Sequence, residues 1–149
     1  MRIILAIVLL TFITDIVSGQ DNVNEKRMVG FGCYFSGRPT KPVIKLTNLL
    51  HEKKYKDISI LLKSRNGAEK YLAVVSLEKL SDMGQYQLSV AEKGIVEEIK
   101  KSSEKVRVCS GCTYFDTVSM KNMFSEDNFL GSNWWIERTL KATDKDTLR

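Results

Sequence analysis

Three cysteines, Cys33, Cys109 and Cys112, carry most of the reactive chemistry in this 149-residue chain. Cys109-Ser110-Gly111-Cys112 has the spacing of a redox dithiol, and a cation such as Arg107 nearby lowers a thiol pKa. Enzymes that use this motif set it at the start of a helix that follows a strand in a βαβ unit. The pattern here predicts no such unit. Neither Trp nor Pro flanks the motif, and Pro39 and Pro42 are the only prolines, which leaves no segment for a cis-Pro partner. The pair therefore reads as structural. Cys33, His51, Cys109 and Cys112 would make a Cys3His set for zinc, but Cys33 and His51 are not a paired knuckle. His51 is the single histidine and no Gly-x-Ser-x-Gly element occurs, so a hydrolase triad has no basis. Glu97 and Glu98 point to neighbouring helix faces, which disfavours paired acid–base work. No catalytic residue, cofactor or metal ligand is expected.

The thiols gain meaning from the N-terminus. Arg2 opens a short basic region, Ile3 to Phe12 is apolar, and Val17-Ser18-Gly19 offers small residues for cleavage. This is the pattern of a secretory signal over residues 1–19, too short to span a membrane. The mature chain would begin near Gln20, secreted or periplasmic. Export makes oxidation the default, and an odd count leaves at least one thiol unpaired in a monomer. Three outcomes stay open: a local Cys109–Cys112 pair, a bridge from Cys33 to either one, or three free thiols. The long bridge would close more than seventy residues and contribute about 4 kcal/mol on chain-entropy grounds. Nothing in the sequence sets those segments side by side, so the reading favours the local pair.

The formal net charge of +5 is scattered through mixed-sign stretches such as Glu97-Glu98-Ile99-Lys100-Lys101. Basic runs never exceed two residues, and stacking aromatics do not accompany them, so nucleic acid is not an expected partner. No second apolar run reaches the ~18 residues of a spanning helix, so no membrane insertion is expected once the signal is gone. A protein partner is the remaining expectation.

Elements follow from periodicity. Residues 20–28 are polar and expected to be loose, 29–142 to form one domain, and 143–149 to fray. Val29 to Pro39 reads as an ordered coil pinned by Phe31, Tyr34 and Phe35. From Lys41 to Lys101 the apolar period is close to 3.6. Pro42 suits a first helical residue behind Thr40, and Val43, Leu46, Leu49 and Leu50 share a face. A second stripe runs Tyr55, Ile58, Leu61 and Leu62 to a stop at Asn66-Gly67. Ala68 to Ser81 is apolar almost all round, as in a helix covered on several sides. Ser89 with Glu92 has capping-box spacing ahead of Ile95, Val96 and Ile99. Lys105 to Val108 alternates like an extended segment, Val118 to Phe124 suggests a short helix, and Trp134 to Ala142 another.

Leu61-Leu62, the Ala- and Val-rich helix ending Leu77-Glu78-Lys79-Leu80, and the break at Gly84 resemble a HEAT or armadillo-like repeat over Ile58 to Lys101. That resemblance implies an all-α fold: a short stack of antiparallel helices with a concave partner-binding surface, or else an irregular helical bundle. The expected function is an exported, non-catalytic scaffold or protein-interaction module. The alternative is an exported thiol–disulfide or metal-linked protein using Cys109 and Cys112.

Overall fold

The computed structural model describes residues 24–147, with side chains described through Thr143. The expected signal at residues 1–19 and the expected mature start at Gln20 lie outside the described residues. In chain order, a 3-10 turn at Glu25–Arg27 leads into β1 (Met28–Val29). Both residues of β1 are buried, so the chain is tied down before residue 29. The irregular stretch that follows leads to α1 (Lys41–His51), which buries Pro42, Val43, Leu46 and Leu50. Thr40 holds the N-cap position, yet its hydroxyl donates to the Met28 carbonyl at 2.8 Å instead of capping the helix.

After α2 (Tyr55–Ile60) and a 3-10 turn at Leu61–Lys63, Asn66 acts as a start signal for the next helix. Its side-chain oxygen accepts the Ala68 N–H at 3.1 Å, one of the orphan donors of α3 (Gly67–Asp82). This helix is the centre of the molecule. Ala68, Tyr71, Leu72, Ala73, Val74, Leu77 and Leu80 are all buried, because α3 contacts α1, α2, a later strand and the last helix. Gly84 sits at φ 68° just after it, a conformation that glycine reaches without steric cost. α4 (Val90–Lys101) begins with the anticipated capping box between Ser89 and Glu92.

Past Ser102 the chain departs from an all-α plan. β2 (Lys105–Ser110) and β3 (Tyr114–Ser119) form an antiparallel hairpin in which Lys105 faces Ser119 and Ser110 faces Tyr114. β1 joins the other edge of β2 in parallel, with Met28 opposite Arg107 and Val29 opposite Val108. The fold is thus mixed α/β, six α-helices with a three-stranded sheet among the described residues, and the all-α expectation is corrected. The physical reason is that an extended segment must pair its N–H and C=O groups when it enters a core. Val106 and Val108 are buried, and strands on both sides take up the backbone of β2.

Alternation sorts the sheet into two faces. Val29, Val106 and Val108 join the main core with α3, whereas Met28, Cys33 and Cys109 form a separate small cluster. α5 (Met120–Ser125) follows β3 directly, and α6 (Ser132–Thr147) closes the domain. Trp135, Ile136 and Leu140 are buried, and the Trp135 indole donates to the Thr47 hydroxyl at 3.0 Å, joining α6 to α1. α6 continues through Thr147, and its Thr143 side chain is buried. No described helix is long and apolar enough to cross a membrane.

Candidate interaction face

The three cysteines end in different states. Cys33 and Cys109 are fully buried and joined by a disulfide, with Cα atoms 5.7 Å apart at a sequence separation of 76. Cys112 is free and exposed. The favoured local pair is therefore not formed, and the long-range bridge is. β2 carries Cys109 into the sheet, whereas Cys112 lies beyond its end in the hairpin turn, which Gly111 enters at φ 59°. The sequence distance that disfavoured Cys33 disappears once β1 docks on β2 and delivers residues 30–34 beside Cys109.

Main-chain hydrogen bonds complete that delivery. Tyr34 N–H donates to the Gly111 carbonyl at 2.9 Å, and Gly111 N–H to the Gly32 carbonyl at 2.8 Å. Cys33 and Arg38 exchange bonds of 2.9 and 3.1 Å across a small loop. Gly30 is required there: a Cβ on it would run into both sulfurs of the disulfide and the Cys109 carbonyl oxygen. The segment from Val29 to Pro39 is thus ordered, as expected, but only partly by the aromatics named for it. Phe31 packs on Trp135 with ring centroids 5.3 Å apart, and Tyr34 on Phe115 at 5.5 Å. Phe35 is 97% exposed and pins nothing. Burial raises the Tyr34 pKa, and the Glu25 carboxylate raises it further.

His51 is exposed at the last residue of α1. With Cys33 and Cys109 bonded to each other, the Cys3His set is not assembled. Among the described residues no group of three or more His, Cys, Asp or Glu side chains is placed to hold a metal ion. Cys109 and Cys112 likewise do not stand as a dithiol.

What the structure does assemble is a surface. β3 is an outer strand of the sheet, and its first four residues, Tyr114 to Thr117, are exposed. Tyr114 and Phe115 show 41% and 42% of their surface, and the exposed Phe35 belongs to the loop that the disulfide holds beside the hairpin. A free strand edge offers unpaired main-chain donors and acceptors, here flanked by aromatic side chains on a covalently clamped support. Sequence reasoning missed β3. Its signal is present in Tyr114-Phe115-Asp116-Thr117-Val118, a β-favouring run just beyond a Gly-containing turn, but Val118 also fits the apolar stripe of Met120, Met123 and Phe124. Comparisons with protein-family models, curated proteins and solved structures found no match to this chain.

Proposed function

We propose that this protein is an exported, non-catalytic interaction module that binds an extended segment of a partner protein along the free edge of β3. The observation that carries the reading is the exposed, aromatic first part of the edge strand, Tyr114 to Thr117, on a disulfide-clamped hairpin. Strand addition supplies affinity through main-chain hydrogen bonds and specificity through alternate side chains. Tyr34 and Phe115 form a half-covered aromatic platform on one face of that edge, suited to an apolar side chain of the added strand. The signal-like residues 1–19 and the Cys33–Cys109 bridge support export.

The test is selection of peptides from a displayed random library on the oxidised full-length protein, followed by mapping on its amide NMR spectrum. Selected peptides should move the resonances of residues 114–119. They should lose at least about tenfold in affinity when Phe35→Ser and Phe115→Ser are combined, since buried aromatic contacts dominate such interfaces. Peptides that map elsewhere, or affinity indifferent to both substitutions, would overturn the reading.

A further inference from the structure

The free edge of β3 is not left bare. Along an antiparallel ladder every second residue turns its N–H and C=O away from the partner strand. Thr117 is one of these: its N–H donates to the carboxylate of the preceding residue, Asp116, at 2.7 Å. The Asp116 side chain thus occupies an edge donor within the exposed run Tyr114 to Thr117. Sheets blunt an exposed edge with charged side chains, because a bare one is a template for any extended chain. Asp116 is the sole charged residue of β3, and it has no cation within ion-pair distance among the described residues.

Register puts this carboxylate on the opposite face from the aromatic platform. Phe115 stands opposite Cys109 in β2 and packs on Tyr34, whereas Asp116 stands opposite Val108. Tyr114 shares the Asp116 face, exposed and with its hydroxyl 3.5 Å from a carboxylate oxygen. The side chains of an added strand alternate in the same way. The residue set against Asp116 therefore meets a carboxylate beside a tyrosine ring, and both favour a cation. Its two neighbours in sequence meet the other face, where Tyr34 and Phe115 favour an apolar group. An added strand also takes the Thr117 N–H for its own carbonyl, and the displaced carboxylate then needs a new partner at an edge that is losing water.

We propose that Asp116 guards this edge and selects its partner: an extended segment with one Lys or Arg set against Asp116 and apolar residues immediately before and after it. A strand without that cation displaces Asp116 with nothing to take up its charge. A strand that carries it gives the carboxylate an ion pair in exchange for the Thr117 N–H. A single cation also suits a chain whose net charge is +5, which repels a strongly basic segment. The inference rests on strand addition at β3 and names what the added strand must carry.

The probes are peptides selected from a displayed random library on the oxidised full-length protein and mapped by amide NMR to residues 114–119. They should carry Lys or Arg between apolar residues, and each is remade with that cation replaced by Gln. The replacement should weaken binding to wild type about fivefold, the upper scale of a partly exposed ion pair, and binding to Asp116→Asn by less than about twofold. Asn keeps an oxygen for the Thr117 N–H, and Asp116 is exposed, so the variant removes charge and leaves the fold. Equal losses on both proteins, or peptides that bind β3 with no such cation, would overturn the selectivity and leave strand addition standing. Peptides that bind only elsewhere would overturn both.

Discussion

Glu92 gathers more hydrogen bonds than any other described carboxylate. One oxygen accepts from Ser59 at 2.5 Å and Tyr86 at 2.7 Å, and the other from the Ser89 N–H and hydroxyl. These donors favour the charged form, the Ser59 hydroxyl most, and pull its pKa from 4.5 down to about 2. The sign follows from linkage. A group whose pKa is lower when folded stabilises the fold above its unfolded pKa, and that contribution fades as pH drops through the folded value. Wild type should therefore melt higher than Glu92→Gln at pH 6, with the difference shrinking below pH 4.5 and gone only below about pH 2. Thermal melts of the two proteins across that range check it, and a pH-independent difference would show that only neutral hydrogen bonding is lost. At this scale the sequence was readable where the interaction is local. Ser89 and Glu92 are three residues apart and the capping box was anticipated. Ser59 and Tyr86 come from other segments and were not.

Helix α3 shows how much of an element is set by its surroundings. Its sequence is apolar nearly all round, and the structure covers it with α1, α2, α6 and β2, which is why a one-faced stripe was never needed. Leu77 is fully buried in that core. Leu77→Ala should cost about 2–5 kcal/mol, read as a lowered midpoint in denaturant unfolding at unchanged slope. A loss below about half a kilocalorie would mean that Leu77 is not packed in the core, because even complete collapse of the cavity leaves the transfer cost of the deleted atoms. Gly67, where α3 begins, is held to glycine by the sheet: a Cβ there would come within 2.9 Å of a Val106 methyl. The helices of the middle third were legible because their period repeats over several turns. The strands were less so, since each is short and β1 has only two residues. Such a segment carries no periodicity of its own and becomes a strand only against β2.

For the whole molecule, the Cys33–Cys109 bridge is the join between the N-terminal segment and the hairpin. Closing 76 residues constrains the unfolded chain by roughly 4 kcal/mol. Reduction, or Cys33→Ser with Cys109→Ser, should therefore lower unfolding free energy by about that amount. Thiol counting on the folded, non-reduced protein should find one alkylatable cysteine, Cys112. Gly30→Ala should raise that count to three, because the added methyl occupies the space of both sulfurs. A count that stays at one would show that the loop can move aside without breaking the bridge.

The sequence by itself determined the features that depend on neighbours along the chain. The helices between Lys41 and Lys101 follow from apolar spacing, the start of α4 from a serine and a glutamate three positions apart, and the extended reading of Lys105–Val108 from alternation. Tertiary structure decided whatever needed two distant segments to meet. The disulfide partner of Cys109 was settled by β1 docking in parallel on β2, which no spacing rule encodes. The adjacent tryptophans were separated by the geometry of one helix on its support: Trp135 reaches Thr47 in α1, while Trp134 stays 60% exposed under the Arg138 guanidinium. The change from an all-α stack to a mixed fold has the same origin. A strand is stable only as part of a sheet, and the partners of β2 lie on both sides of it in sequence, at Met28–Val29 and at Tyr114–Ser119.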